Sequence, residues 1–86
     1  MTITGTIKGQ GFNYKSFQGK TNAQETKDYL VSYKNGNYEK EVVLTAWNGT
    51  ITEMENAQGS KTFSCEPTSR EYNGKWYTNI KVWKVA

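Results

Sequence analysis

Two Asn-Gly pairs, Asn35-Gly36 and Asn73-Gly74, constrain the fold of this chain more than any other feature. Each pair lies between runs in which apolar and polar residues alternate, and a period of two is typical of β-strands. Asn and Gly readily adopt the positive φ angles that a tight hairpin turn needs. The sequence therefore predicts two β-hairpins, one in the first half of the chain and one near its end.

The alternating runs predict five strands. They begin with a first strand that starts at Ile3 and continue with residues 27–33, 39–47, 61–66 and 76–85. A glycine in the first strand, Gly5 or Gly9, would let it bend or carry a bulge, as small barrels require. Residues 15–23 are polar and contain a glycine, so we expect a loop there. Pro67 indicates a sheet edge or a bulge in the fourth strand, because proline cannot donate a ladder hydrogen bond.

Between the third and fourth strands the pattern changes to a helical one. Ile51, Met54 and Ala57 are spaced by three, and Thr50 or Thr52 could cap a helix. A short helix of two turns is therefore predicted. Three strands, a short helix and two strands form the element order of the OB-fold, an all-β five-stranded barrel whose open face binds oligonucleotides and oligosaccharides. SH3-like barrels have a comparable number of strands, so the order favours the OB-fold without deciding it.

Length and composition bound the function. A chain of 86 residues predicts one domain, residues 1–86, because a second core could not be buried in what remained. The chain has no histidine and a single cysteine, Cys65, which excludes the usual zinc sites, a Ser–His–Asp triad and a Cys–His pair. We therefore expect neither an enzyme nor a metal or other cofactor. No apolar run approaches the about 18 residues of a membrane span, and the N-terminus lacks the features of a signal peptide, so we expect an intracellular, cytoplasmic protein that does not bind membranes.

Aromatic and basic side chains indicate the class of ligand. The net charge is only +3, but several of the six tyrosines and three tryptophans stand beside lysines rather than in apolar runs. Single-stranded nucleic acid exposes flat bases, which stack on aromatic rings at about 1–3 kcal/mol per base, and phosphates, which attract lysine and arginine. The candidate stacking residues are Phe17, Trp47, Tyr72, Trp76, Tyr77 and Trp83, and the candidate phosphate-binding residues are Lys15, Lys20, Lys27, Arg70, Lys75 and Lys81.

Each candidate ring also has a purely structural interpretation. Trp47 could point outward or cap the end of the barrel beneath the helix, and Phe17 could fold back onto the barrel. Tyr72 and Trp76 could grip a ligand or form a cross-strand pair that steadies the hairpin. On the alternation of the last strand, Trp83 shares an outer face with Tyr77 and Lys81, where it could contact a base or another subunit.

The C-terminal part of the chain resembles a known family. Residues 69–78, Ser-Arg-Glu-Tyr-Asn-Gly-Lys-Trp-Tyr-Thr, and the final Trp-Lys-Val at residues 83–85 resemble the end of the family catalogued as domain of unknown function 3127. Residues 27–31 and 42–47 are similar to its second and third strands. Two departures stand out: Asn48-Gly49 occupies a place where the family tends to have Gly then Asp, and Pro67 interrupts a strand that is usually apolar. The family is regarded as related to single-stranded DNA-binding proteins with an OB-fold, so the resemblance implies that fold and a binding role.

These features together favour binding of single-stranded DNA, largely independent of sequence, in replication, repair or recombination. Single-stranded RNA is a close variant, because stacking and phosphate contacts barely distinguish the two sugars. The other interpretations are a protein-interaction or structural module that uses the same aromatic face, and an oligosaccharide-binding module, which we expect to have more carboxylates and amides beside its rings. A homodimer or a higher homo-oligomer is compatible with the sequence. The chain ends at Ala86 without the acidic tail of replicative single-strand binders, so we expect a coat or accessory factor.

Overall fold

The computed structural model describes residues 1–86 as a barrel of five strands with one short helix. In chain order the elements are β1 (Thr2–Gln18), β2 (Ala23–Asn35), β3 (Tyr38–Trp47), α1 (Gly49–Glu55), β4 (Ser60–Tyr72) and β5 (Lys75–Val85). The closed barrel has the strand order β1-β2-β3-β5-β4, and all neighbours are antiparallel except β3 and β5. The predicted all-β class and the helix between the third and fourth strands are confirmed.

Alternate residues of the strands fill the barrel. The core consists of Tyr29, Val31, Leu44, Ala46, Ile51, Met54, Phe63, Cys65 and Val82. Burying each of the large apolar side chains stabilises the fold by roughly 1.5–3 kcal/mol. On β3, Leu44 and Ala46 point inward with Val42 packed beside them, so these alternate residues share the inner face of the strand.

The helix α1 closes one end of the barrel with the side chains of Ile51 and Met54. Its N-cap is Asn48, not Thr50 or Thr52, so the predicted cap was wrong. Asn48 has a positive φ of 51° and uses its side-chain oxygen to accept a hydrogen bond from the Glu25 backbone N–H at 3.0 Å, which ties the start of α1 to β2. The helix has seven residues and is far too short to cross a membrane.

The strand β1 is long and its pairing with β2 is irregular. Its register with β2 shifts between Lys8 and Phe12 and again between Phe12 and Lys15. Gly9 lies in the first irregular stretch with a φ of 70°, and Asn13 lies in the second with a φ of 52°. Of the bend or bulge predicted at Gly5 or Gly9, the structure shows a bulge-like register shift at Gly9.

The β1–β2 hairpin extends well beyond the barrel. The two strands pair as far as Gln18 and Ala23, and only residues 19–22 form the turn. The loop predicted over residues 15–23 was therefore wrong, because residues 15–18 continue β1. Apart from Phe17 these residues are polar because this part of the hairpin covers no core, and a mostly polar strand resembles a loop in sequence. We call residues 12–18 of β1, together with residues 23–25 of β2 that lie beyond the pairing with β3, the first arm.

The other two hairpins have the predicted tight turns. At the end of β4, Asn73 and Gly74 both have positive φ, 52° and 77°, as in a type I′ turn. In the β2–β3 hairpin the strand includes Asn35, so the turn consists of Gly36 and Asn37, with a positive φ only at Gly36. Both predicted hairpins are confirmed, although the first turn lies one residue later than the Asn-Gly pair.

The strands β4 and β5 also extend beyond the barrel as a hairpin, which we call the second arm (residues 67–80). Pro67 lies in this arm, past the last pairing of β4 with β1 at Ser64, so its missing N–H disturbs no ladder on that side. The predicted edge position of Pro67 is thus confirmed. A register shift does occur, but between Ser64 and Cys65, where Trp83 is an extra residue on β5.

Candidate functional site

An open groove of about 1060 Å³ crosses the outer face of the barrel between the two arms. All five strands contribute to it. The first arm lines one side, β4 lines the other, and β2, β3 and β5 lie between them. The arms extend β1, β2, β4 and β5 beyond the part of the barrel that encloses the core, whereas β3 is not extended. The groove is therefore wider than the barrel wall alone would make it.

The pairing of β4 with β5 explains which side chains of the second arm reach the groove. Residues directly opposite each other in an antiparallel pair share a face, and every second residue along a strand returns to it. Tyr77 and Lys81 therefore lie on the face of their partners Arg70 and Glu66, and Tyr72 continues that face towards the tip. All five line the groove.

Trp47 lies at the centre of an aromatic and cationic contact in the groove. The ring of Phe17 meets it edge-on, with centroids 5.7 Å apart and an interplanar angle of 89°. The Lys81 Nζ lies 5.3 Å from the centroid of the same ring. Trp47 is half-buried on the outer face of β3, so it points outward and does not cap the barrel beneath α1.

Three rings of the groove are open to solvent. Phe17 is 44% exposed, Tyr77 53% and Tyr72 64%. Phe17 and Tyr72 lie on different arms, so the exposed rings are on both sides of the groove. Flat surfaces are thus available to a ligand on either side of the more enclosed Trp47.

The charged groups of the groove are mixed. Lys15, Arg70 and Lys81 are its cations, and Asp28 and Glu66 are its carboxylates. Neither carboxylate has a lysine or arginine nitrogen within 4 Å, but Glu66 is directly opposite Lys81 in the β4–β5 ladder, whereas the ladder partners of Asp28 are Phe12 and Thr45. A linear polyanion that follows the cations would therefore pass one carboxylate that has no cation opposite it.

Hydrogen bonds hold Asp28 in place on the floor of the groove. The Thr45 Oγ1 donates to its Oδ1 at 2.7 Å, and the Asn13 Nδ2 donates to its Oδ2 at 3.2 Å. Thr45 is the partner of Asp28 across the β2–β3 ladder, and Lys81 is the partner of Thr45 on β5. These three side chains thus form one row across the floor.

A comparison with known families identifies the chain. The sequence profile of the family described as "Domain of unknown function (DUF3127)" matches residues 2–86. The chain belongs to this family. Its family relationship, expected from the run at residues 69–85, is thereby confirmed.

The DUF3127 fold has a solved counterpart. The crystal structure of the SSB domain of a protein from Synechococcus sp. superimposes on it with a TM-score of 0.65. The two chains are 10% identical, and the match covers 99% of this chain and 90% of the other. At this identity the likeness shows the fold alone, and it confirms the OB-fold. A search of curated protein sequences gave no significant match.

Two of the predicted stacking residues of this DUF3127 domain do not reach the groove. Trp76 pairs with Glu71 on the face of the second arm opposite to Tyr77, and it is 68% exposed there. Trp83 is the extra residue at the β5 bulge, which interrupts the alternation that predicted a face shared with Tyr77 and Lys81. The six rings therefore do not form one aromatic face.

Three of the predicted phosphate-binding lysines also lie outside the groove. Lys20 is in the turn of the first arm, and Lys75 is at the tip of the second arm, opposite Tyr72 in the ladder. Lys27 is opposite Ala46, a core residue, and therefore points towards the helix end of the barrel. There its Nζ forms an ion pair with Glu55 at 3.4 Å.

Sequence reasoning missed the polar residues of the groove floor. Asp28 was not a candidate, although the alternation that buries Tyr29 and Val31 places Asp28 on the same outer face as Trp47. That signal was present in the sequence. Asn13 had no such signal, because the two register shifts of β1 set its direction. The structure contains no group of three or more histidine, cysteine, aspartate or glutamate residues arranged to hold a metal ion.

Proposed function

We propose that this DUF3127 domain binds single-stranded nucleic acid, single-stranded DNA above all, in the groove between its two arms and without catalysing a reaction on it. The observation that carries the proposal is the coincidence of aromatic rings and cations in one open groove: the exposed Phe17, Tyr72 and Tyr77 and the half-buried Trp47 with Lys15, Arg70 and Lys81. Such a combination suits unpaired bases joined by phosphates, and it requires no particular sequence.

The rings supply the stacking surfaces. Tyr72 and Tyr77 on the second arm and Phe17 on the first are open enough for bases to lie on them. Trp47 is already fixed by Phe17 and by the Lys81 ammonium group, an interaction worth about 0.5–1 kcal/mol near a surface. A base that displaces the ammonium group can stack on the Trp47 ring, and the side chain of Lys81 is then free to contact a phosphate.

The cations supply the phosphate contacts. Lys15 and Arg70 lie on opposite sides of the groove, and Lys81 lies between them on its floor. Each phosphate that they neutralise releases counterions from the strand, so the affinity should fall steeply with salt. The likeness of the fold to an SSB domain, a name that denotes single-stranded DNA binding, supports DNA as the ligand.

A second candidate ligand is an oligosaccharide. The groove contains two carboxylates, Asp28 and Glu66, and two amides, Asn13 and Asn79, beside its rings. This is more than the sequence led us to expect, and such groups hydrogen-bond sugar hydroxyls. A neutral sugar would bind independently of salt, whereas a nucleic acid would not, so a salt titration distinguishes the two.

Two neighbouring rings of the second arm provide a matched test. Tyr77 lines the groove, and Trp76 is exposed on the opposite face of the same hairpin. We expect Tyr77→Ala to weaken binding of a labelled oligo-dT about tenfold, because one stacking surface is lost, and Trp76→Ala to leave the affinity within about twofold. Fluorescence anisotropy at low salt measures both affinities.

Thermal unfolding of the two variants supplies the control. Both residues lie outside the core, so their melting temperatures should stay close to that of the natural chain. Equal losses of affinity in the two variants, or a greater loss in Trp76→Ala, would place the ligand away from the groove and refute the proposal.

A further inference from the structure

Of the two carboxylates of the groove, Asp28 is the one that has no cation opposite it in the sheet: its ladder partners are Phe12 and Thr45, whereas Glu66 is opposite Lys81. Thr45 and Asn13 each donate one hydrogen bond to it, one on each oxygen. A carboxylate can accept about four hydrogen bonds, so each oxygen retains the capacity for one more. The side chain lines the groove and is only partly buried, which leaves this capacity open to a ligand.

Electrostatics decides which part of a strand can lie against Asp28. A phosphate is repelled by the Asp28 carboxylate and is drawn instead to Lys15 and Arg70 at the sides and to Lys81, two strands away from Asp28 on the floor. The part of the strand that lies against Asp28 itself is then the edge of a base. Asp28 is opposite Thr45, which lies two residues, or roughly 7 Å along β3, before Trp47. A base stacked beside Trp47 therefore has its edge within reach of the Asp28 carboxylate.

The pattern of donors on the base edges makes Asp28 selective. Two carboxylate oxygens accept two parallel hydrogen bonds from adjacent donors, and only guanine has such a pair on its Watson–Crick edge, N1–H and N2–H. Cytosine and adenine offer one amino group beside a ring nitrogen that accepts. Thymine and uracil offer one N–H between two carbonyl oxygens, which a carboxylate repels.

We propose that Asp28 is a specificity-determining residue that makes one position of the groove prefer guanine and disfavour thymine or uracil. This inference rests on the function proposed above. It adds a base preference at a single position to binding that is otherwise independent of sequence.

The test moves a single guanine through a short oligo-dT. An oligonucleotide of about six residues fits the range known for one OB-fold, and a series places one dG at each position in turn. We expect one position at which dG binds about tenfold more tightly than dT, since a bidentate base contact discriminates on that scale. Inosine at that position lacks the N2 amino group and should lose most of the gain.

Two variants separate edge recognition from charge. Asp28→Asn keeps the shape but offers one donor and one acceptor, which suit thymine as well as guanine, so the preference should vanish. Glu66→Gln removes the same charge elsewhere in the groove. It should raise the affinity for every member of the series by a similar factor and leave the preference for dG unchanged.

The outcomes distinguish this inference from the proposed function. If all oligonucleotides bind in a salt-dependent way but no position prefers dG, or if Asp28→Asn keeps the preference, the role of Asp28 is wrong and the general function stands. If none of them binds at low salt, the proposed function fails and the inference fails with it.

Discussion

At the scale of single residues, the alternation of apolar and polar residues indicated which residues of a strand share a face of the sheet, except where the pairing register of two strands shifts. It grouped Leu44 with Ala46 on one face of β3 and Trp47 on the other, but it left open whether Trp47 points outward, as the structure shows that it does. It failed at Trp83, because the β5 bulge adds a residue and no local feature of the sequence marks that bulge. It also could not show that Trp47 would be enclosed by Phe17, since that contact joins strands distant in sequence.

Gly5 is a residue at which the packing admits no side chain. It is buried on β1, and a Cβ atom there would overlap the backbone carbonyl of Ser32 on β2. Backbone atoms within a sheet cannot move aside cheaply. We expect Gly5→Ala to lower the free energy of unfolding by about 2 kcal/mol, as overpacking of a core does. Urea denaturation measures the change.

Gly49 provides the control for this substitution. It lies at the start of α1, and a Cβ atom there would meet nothing within 4 Å. Gly49→Ala should leave the stability unchanged or raise it slightly, because alanine favours a helix more than glycine does. Equal stability of Gly5→Ala and Gly49→Ala would contradict the close approach of β1 and β2 at Gly5.

At the scale of elements, the sequence predicted the number and order of strands but not their lengths. The strand positions that cover the core carry apolar residues and are easy to detect. The arms have polar residues on both faces, so residues 15–18 resembled a loop and the fourth strand was cut short at residue 66, six residues before its end at Tyr72. The groove depends on these arms, which is why the sequence could suggest its residues but not its shape.

One hydrogen-bonded cluster joins α1 to the barrel and makes a prediction about pH. The Tyr29 hydroxyl donates to the Glu55 carboxylate at 2.7 Å, and Lys27 pairs with the other oxygen. Burial, together with the neighbouring Glu55 carboxylate, holds the pKa of Tyr29 well above its usual value of 10.0. The Tyr29 hydroxyl, with smaller help from Lys27, lowers the pKa of Glu55 below its usual value of 4.5.

Tyr29→Phe should therefore reduce the free energy of unfolding by about 1.5 kcal/mol at pH 7, because a hydrogen bond to a charged group is lost. The depressed pKa of Glu55 stabilises the fold above pH 4.5, and that contribution is lost as the pH falls further. The raised pKa of Tyr29 stabilises it below pH 10.0, and that contribution is lost as the pH rises further. The difference in the free energy of unfolding between the natural chain and Tyr29→Phe should thus be greatest between pH 4.5 and pH 10.0.

Urea denaturation of the natural chain and of Tyr29→Phe at about pH 3, 7 and 11 tests the linkage. We expect the difference in stability to shrink at both extremes. A difference that stays constant across the three values would mean that the Tyr29 hydroxyl contributes through packing alone, and the cluster would not titrate as described.

At the scale of the whole molecule, a small closed barrel leaves little surface on which to build a site. Nine buried side chains pack inside the barrel, and the large groove lies on its outer face, between the arms. The net charge of +3 is too small to attract a polyanion over the whole surface. Affinity must instead come from the local arrangement of rings and cations in the groove.

The most direct test of this account uses Trp47 as the only tryptophan. The double variant Trp76→Phe, Trp83→Phe removes the two tryptophans that lie outside the groove. Oligo-dT should quench the remaining fluorescence at low salt. The logarithm of the affinity should fall with the logarithm of the salt concentration at a slope of about −2, as expected for three phosphates neutralised by Lys15, Arg70 and Lys81. Fluorescence of Trp47 that does not respond to oligo-dT at low salt, or binding that salt does not weaken, would contradict the account.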